Sequence, residues 1–271
     1  DDYGEKTWEK AESKMLKKAI EEAIVKSGHR KNEIDAVLSG DLLNQLMSSS
    51  FMARDLHIPF LGLYGACSTM TESMVLGSML IDGEFASNVL AGASSHFCTA
   101  ERQYRYPLNY GSVRPPSAQW TVTGSGCLLL TDEDIPNMPK ISAFCPGTII
   151  DMGISDINNM GAAMAPAAAD TLKKYFRDTK TSPDSYDLIL TGDLGSIGHE
   201  LVKTLLEREN ISLGANYLDC GMMIFDADKQ DVHAGGSGCG CCASVLAAYV
   251  LPQMQAGLYK NVLVAATGAL M

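Results

Sequence analysis

The sequence has no apolar run as long as a membrane span, no phosphate-binding loop and comparatively few cationic residues. A bilayer-crossing helix needs roughly 20 consecutive apolar residues, and no stretch of this chain reaches that length. The 21 Lys and Arg residues are outnumbered by 32 Asp and Glu residues, which leaves a net charge of −11. That sign opposes binding to nucleic acid or to anionic lipid. Because no G-x-x-x-x-G-K-[ST] loop is present, nothing points to ATP, and we predict no cofactor.

Cysteine is well represented, but its spacing excludes the usual metal sites. The eight cysteines lie mostly in apolar or glycine-rich surroundings, so we expect reduced thiols, as in a cytosol-like compartment. The densest group, CGCC at 239–242, lacks the C-x₂₋₄-C spacing of a zinc site and has no matching second pair. The sequence therefore predicts no metal site.

An internal duplication is the most informative feature of the chain. IDAVLSGDLLNQ at 34–45 resembles YDLILTGDLGSI at 186–197, and Asp41 and Asp193 within them are 152 positions apart. Each segment has the pattern of a buried strand that ends in a turn leading to a helix. The repeat predicts two similar β/α halves.

A second pair of landmarks extends the duplication. Asn88 and Asn261 are 173 positions apart, which implies about 21 extra residues in the second half. We place them around 225–238 and expect a hairpin or flap there. On this register Cys67 lies opposite Gly240. The helices that follow these two residues are apolar nearly all round, as helices buried between two sheets must be.

Each half alternates helix and strand, which favours parallel sheets joined by right-handed crossovers. We divide the chain into an N-terminal half at 1–138 and a C-terminal half at 139–271. Strands predicted at 121–131 and 140–151 lack counterparts in the opposite half, so we expect a fragment trimmed at both ends, with the second half truncated at its C-terminus. No signal peptide is visible, although the first residue is Asp1, which leaves a removed leader open.

Several motifs resemble known families. The turn GACST at 65–69 resembles the A-C-[ST] nucleophile turn of ketoacyl synthase III and thiolases. Longer stretches, among them AERQYRYP and MAPAAADT, resemble the stage V sporulation protein AD family of spore-forming bacteria. The resemblance implies a thiolase-like α/β fold, with two duplicated β/α halves in five layers, α-β-α-β-α. It also implies a role in taking dipicolinic acid into the developing spore, as the ligand-binding component of a membrane channel complex.

The resemblance also bears on catalysis. Condensing enzymes of this fold add a His from an H-Q-A-N turn and an Asn from a G-N-T turn to the nucleophile. Those turns match GDLG at 192–195 and GCGC at 238–241, which contain neither residue. We therefore expect no enzyme activity and a vestigial nucleophile position at Cys67. The alternatives are a condensing enzyme or acyltransferase that uses Cys67, with Cys239 or Cys241 as acid and base, and a pure scaffold.

A planar dianion such as dipicolinate needs N–H donors or cations for two carboxylates and a flat wall for its ring. Helix N-termini at Cys67 and Gly240 can bind one carboxylate, and His96 can donate to the other. The candidate ligand-binding residues are Cys67, Ser68, Thr69, His96, Arg102, Asp193, Cys239 and Gly240. The loop at 101–106 adds Arg105, Tyr104 and Tyr106 to Arg102.

Structural roles compete with these assignments. Asp41 and Asp193 would repel a dianion unless calcium travels with it, and both residues fit turns or helix caps equally well. His96 can be a hydrogen-bonded core histidine, while Arg102 and Arg105 can form structural ion pairs or interface contacts.

The resemblance further implies where the protein works and with what. Enzymes of this fold pair through strands beside the nucleophile turn, so we expect a homodimer. In the spore or forespore, we expect a peripheral protein of the inner spore membrane that is recruited by membrane subunits of the stage V sporulation A complex. We also expect a connection with transport and with spore germination.

Overall fold

Two short, buried strands occupy the two repeated segments of the sequence. The computed structural model describes residues 2–104 and 113–269. Strand β1 spans Ala36–Gly40 and strand β6 spans Leu188–Thr191, and every residue in both is buried. Each is flanked on both edges by parallel strands, and side chains of helices cover both of its faces.

The first sheet has four strands in the order β2-β1-β3-β5. Strands β2 (Phe60–Gly62) and β3 (Asn88–Ser95) run parallel to β1, and β5 (Gly124–Thr131) runs antiparallel to β3. The strand predicted at 121–131 is thus confirmed as β5, which is preceded by the short strand β4 (Trp120–Thr121).

The second sheet is parallel and has the order β7-β6-β9, with β7 at Tyr217–Asp219 and β9 at Val262–Ala265. A third ladder pairs β4 with β8 (Gly236–Ser237) in parallel. Because β4 belongs to the first half of the chain and β8 to the second, this ladder ties the two halves together.

Nine α-helices complete the described part of the chain. They are α1 (Trp8–Ser27), α2 (Met47–Leu56), α3 (Thr69–Asp82), α4 (Phe97–Tyr104), α5 (Met160–Thr179), α6 (Gly195–Glu207), α7 (Cys220–Met223), α8 (Cys239–Val245) and α9 (Leu251–Gln255). A π-helical turn at Leu246–Val250 joins α8 and α9 into one continuous helical segment.

The strands sort their side chains into separate layers, as the two-residue period requires. In β1, Val37 faces α1 and α2 on one side, and Leu38 faces α3 on the other. In β6, Ile189 faces α5 and α6, whereas Leu190 points to a central core shared with α3 and α8. Two outer helix pairs and two central helices therefore sandwich the sheets, which confirms the five-layer α-β-α-β-α arrangement.

Equivalent aspartates confirm the duplication at atomic detail. Asp35, just before β1, accepts hydrogen bonds from the backbone N–H groups of Asn88 and the residue before it, at 2.9 and 2.7 Å. Asp187, just before β6, does the same for Asn261 and the residue before it, at 2.9 and 2.7 Å. The same capping of a neighbouring parallel strand thus occurs in each half.

Two local predictions are wrong. Residues 140–151 form no strand, because no described strand hydrogen-bonds to them and most of their side chains are exposed. The hairpin alternative for residues 225–238 is wrong, because these residues form turns and the two residues of β8 near their end pair in parallel with β4, whereas the flap alternative stays a prediction. The division predicted between residues 138 and 139 lies in the irregular segment between β5 and α5 and stays a prediction.

Helix propensity and caps account for the ends of α1. The Thr7 hydroxyl accepts a hydrogen bond from the Lys10 amide, and the helix stops at Gly28, whose φ of 78° is left-handed. In the described part of the chain, no helix combines the length and apolar character that a membrane span requires.

Helix α8 lies against the first sheet with backbone in contact with backbone. A Cβ added to Gly126 of β5 would lie 2.1 Å from the carbonyl oxygen of Ala243. Only glycine leaves room for this approach, and the central layer depends on it.

We predict that Gly126→Ala lowers the free energy of unfolding by about 2–3 kcal/mol, because α8 must move off the sheet. Urea denaturation monitored by circular dichroism measures the change. Gly214→Ala is the matched control, since Gly214 is exposed, has no positive φ and has only the Asn216 side chain nearby, at 3.2 Å. Equal midpoints for the two variants would contradict the packing argument.

Candidate functional site

Cys67 occupies a tight turn at the carboxyl edge of the first sheet. A single 3₁₀ turn at Ala66–Ser68 connects the end of β2 to α3, and the Cys67 side chain is buried. Ala66 has a φ of 50°, a left-handed conformation that non-glycine residues adopt rarely and that is often found at functional sites. The turn thus places one thiol at the positive end of a central helix.

The hydroxyls of the nucleophile turn are used within it. Ser68 Oγ donates to the Gly65 carbonyl at 2.7 Å, and Thr69 Oγ1 donates to the Ala66 carbonyl at 2.8 Å. Gly268, after β9, closes over the turn, since an added Cβ would lie 2.3 Å from the Gly65 oxygen and 3.3 Å from the Cys67 nitrogen. The wall around Cys67 is therefore built from both halves of the chain.

Cys239 and Gly240 face Cys67 from the start of α8, as the duplication predicts. Cys239 Sγ donates to the Ser94 carbonyl at 2.9 Å, and the Gly240 amide donates to Ser95 Oγ at 3.1 Å. Burial raises the pKa of the Cys239 thiol well above its usual value, and nearby acidic groups, Cys67 among them, raise it further. Cys239 is therefore a neutral wall residue, and the Gly240 amide is bonded within the protein.

Asp41 and Asp193 both hold turns. Asp41 accepts from the Leu43 amide at 2.8 Å and from the amide and hydroxyl of Ser49 at 2.7 and 2.6 Å. Asp193 Oδ2 accepts from the Gly238 amide at 2.7 Å, just before α8. Burial raises the pKa of Asp41 above its ordinary value, and the hydrogen bonds that Asp41 accepts from Ser49 and Leu43 oppose the rise. The turn-forming interpretation of the two aspartates agrees with these contacts.

The two turns that the resemblance matches to the His and Asn turns of condensing enzymes contain neither residue. The GDLG turn at 192–195 lies between β6 and α6, and GCGC at 238–241 begins α8. Of the nearby imidazoles, His199 stacks on Tyr217 with ring centroids 4.3 Å apart, and its Nε2 lies 3.2 Å from the Tyr217 carbonyl oxygen. It belongs to the outer layer of the second half.

His96 follows β3 and is almost fully buried. Its Nδ1 accepts from the Cys98 amide at 3.1 Å, and its ring lies 5.3 Å from that of Trp8. Burial lowers the pKa of His96 to about 4. The ring is therefore neutral at pH 7, with its proton on Nε2.

The loop at 101–106 offers fewer free cations for a ligand than the sequence suggests. Arg102 forms an ion pair with Glu9 of α1, so the ion-pair alternative holds for it. The hydroxyl of Tyr104 hydrogen-bonds that of Tyr64 beside the nucleophile turn. Arg105 and Tyr106 lie outside the described residues.

Sequence reasoning missed Glu12. This carboxyl on α1 is fully buried and accepts from Ser94 Oγ at 3.0 Å and Thr99 Oγ1 at 2.8 Å. A signal was present, because Glu12 shares the four-residue spacing of Leu16 and Ile20 on the apolar face of α1. A lone carboxylic acid on that face is costly unless it has a role or a network of partners.

The family is identified by comparison with known proteins. The sequence model described as Stage V sporulation protein AD matches residues 1–271. The Stage V sporulation protein AD of Bacillus subtilis (strain 168) is 45% identical over 267 residues, which covers 98% of this chain and 78% of that protein.

Solved structures establish the fold independently. A 3-oxoacyl-[acyl-carrier-protein] synthase III from Aquifex aeolicus VF5 matches with a TM-score of 0.63 and 12% identity, covering 95% of this chain and 80% of that one. An OleA from Xanthomonas campestris matches with a TM-score of 0.64 and 10% identity, covering 94% and 78%. At these identities the likeness concerns the fold alone, which is thiolase-like. With its whole length matched by the family and nearly half its residues shared with the Bacillus protein, the chain belongs to the stage V sporulation protein AD family.

Proposed function

We propose that this sporulation protein is a non-catalytic, dipicolinate-binding component of a spore membrane channel complex, needed for dipicolinate uptake into the developing spore. One observation carries the proposal. The nucleophile seat at Cys67 is intact, whereas the residues opposite it, Asp193, Cys239 and Gly240, are engaged in internal hydrogen bonds. Such a pocket can hold an acid but lacks the donors that a condensation requires.

The missing donors support this proposal on energetic grounds. Removing one oxyanion-stabilising donor from a serine protease costs about 2.7–4 kcal/mol, and we take the same scale for a condensing enzyme. Neither Asp193 nor the thiol of Cys239 replaces a neutral imidazole or amide, and the pKa of Cys239 is raised by burial. The loss of two donors would therefore slow the reaction by several orders of magnitude.

We assign one ligand carboxylate to the start of α3, at Cys67 and Ser68, where the helix dipole is positive. No side-chain oxygen caps α3. The second carboxylate is assigned to His96. Thr69, Asp193, Cys239 and Gly240 then form the wall, and Arg102 acts through its ion pair with Glu9.

Dipicolinate should bind saturably, with or without calcium, and benzoate should bind far more weakly because it has one carboxylate. Isothermal titration calorimetry measures both ligands. We expect His96→Ala to weaken dipicolinate binding about tenfold or more, as loss of a hydrogen bond to a charged group does. His199→Ala is the matched control, since His199 is also buried but lies in the outer layer. The absence of both heat and thermal stabilisation would overturn the proposal.

One observation favours a second function, that of an acyltransferase. Cys67 lies at a helix start beside the left-handed Ala66, a placement that suits a nucleophile.

The two functions separate by covalent labelling. We expect no mass increase on the Cys67 peptide after incubation with acetyl- and octanoyl-coenzyme A, because the site lacks oxyanion donors. Peptide mass spectrometry measures this, with Cys67→Ala as the control. An acyl group found on Cys67 and absent from the variant would favour the acyltransferase.

We further propose that the protein is a homodimer, peripheral on the inner spore membrane and held there by other subunits of the complex. Strand β2 is an edge of the first sheet beside the nucleophile turn. Leu61 of β2 is 50% exposed, and Met47, Phe51 and Tyr64 around it are also exposed. An open edge with apolar neighbours favours pairing with a second copy.

Light scattering after size-exclusion chromatography should give twice the mass of one chain. Leu61→Lys should shift the protein to monomer, because it places a charge on the pairing edge. Phe85→Lys is the matched control, as Phe85 is 82% exposed but lies away from β2. Monomeric wild-type protein at micromolar concentration would contradict the dimer.

A further inference from the structure

Glu12 is a buried carboxyl group that the proposed ligand contacts do not use. It is held by Ser94 at the end of β3, by Thr99 on α4 and by Ser48 on α2. The same Thr99 hydroxyl also lies 2.9 Å from the His96 carbonyl oxygen, so its one proton is shared between the two acceptors. The Glu12 side chain on α1 therefore connects three other elements of the first half, α2, β3 and α4.

The acidic groups of the site all interact electrostatically with the thiol of Cys239. Cys239, whose carbonyl partner is Ser94, is acted on electrostatically by Cys67, Glu12, Asp41 and Asp193. A ligand dianion beside Cys67 adds two negative charges to this buried group. Like charges in a poorly solvated region repel strongly, and a carboxylate there is neutralised when it takes up a proton.

The other elements packed against α1 carry few groups that could compensate. The titratable and charged side chains on or next to these elements are Arg54 and Asp55 on α2, His96 after β3, Glu101 and Arg102 on α4, and Cys127 on β5. Asp41 after β1 and Cys239 at the start of α8 also interact electrostatically with Glu12. Arg102 is paired with Glu9, and Arg54 with Asp55. His96 is neutral, since burial lowers its pKa to about 4.

We propose, building on the proposed function, that Glu12 couples dicarboxylate binding to proton uptake. When a dicarboxylate binds beside Cys67, the ionised fraction of Glu12 takes up protons from the solvent, and it returns them when the ligand leaves. The coupling makes binding tighter at lower pH and favours release as the pH rises.

The resting state of Glu12 suits this role. Burial is the main cause that raises the pKa of Glu12 to about 8, and Asp41 raises it further. Folding therefore strengthens proton binding, so the free energy of unfolding falls as pH rises from the ordinary glutamate range to about 8. Near pH 8 a small change in nearby charge alters the proton occupancy, which is the condition for linkage.

The test is calorimetric titration of dipicolinate at pH 8 in buffers of different ionisation enthalpy, whose slope counts protons taken up. We expect on the order of half a proton per ligand, and a dissociation constant about three- to tenfold larger at pH 9 than at pH 7. In Glu12→Gln the uptake should disappear and the affinity should become nearly independent of pH. Glu22→Gln is the matched control, an exposed glutamate on the same helix.

Each outcome is decisive. Saturable binding without proton uptake overturns this inference and leaves the proposed function standing. If Glu12→Gln does not fold, the titration of the wild-type protein alone still shows whether dipicolinate binding takes up protons. Uptake that persists in Glu12→Gln assigns the proton to another group and overturns the role of Glu12. An affinity lowered equally at every pH shows a purely structural role. The absence of any binding overturns the proposed function and this inference together.

Discussion

The packing of the central layer depends on the direct backbone contact between α8 and the first sheet. Gly126 lets β5 touch the Ala243 carbonyl, and Gly240 lets the start of α8 reach the ends of β3 and β5, where an added Cβ would lie 2.4 Å from the Gly124 oxygen. Because side chains are excluded from these contacts, α8 has little freedom to slide. That constraint positions Cys239 opposite Cys67 and makes the pocket a junction of both halves.

Buried acidic groups dominate the electrostatics around Cys67 and Cys239. The GDLG and GCGC turns contribute a carboxylate, a thiol and backbone groups that serve the turns themselves. Asp41, Asp193 and Glu12 are all fully buried nearby, where charge is expensive. An anion is compatible with such surroundings only when the helix dipole of α3 and the protonation of a carboxyl offset the repulsion.

The duplication explains which features are shared and which have diverged. Asp35 and Asp187 perform the same capping role in the two halves. The turns after β1 and β6 differ in their partners. Asp41 closes its own turn through Leu43 and Ser49, whereas Asp193 reaches across to Gly238. The second half therefore uses its aspartate to hold the helix that lines the pocket.

The sequence by itself determined the duplication, the buried strands, the two central helices and the seat of Cys67, because strand periodicity and turn residues are local patterns. It misplaced a strand at 140–151, since a strand forms only where another supplies its hydrogen bonds. Only the tertiary structure decided that the Gly240 amide bonds Ser95, that Arg102 pairs with Glu9 and that Glu12 reaches the site. Those facts join residues distant along the chain, and burial and hydrogen-bond partners exist only once the layers have packed together.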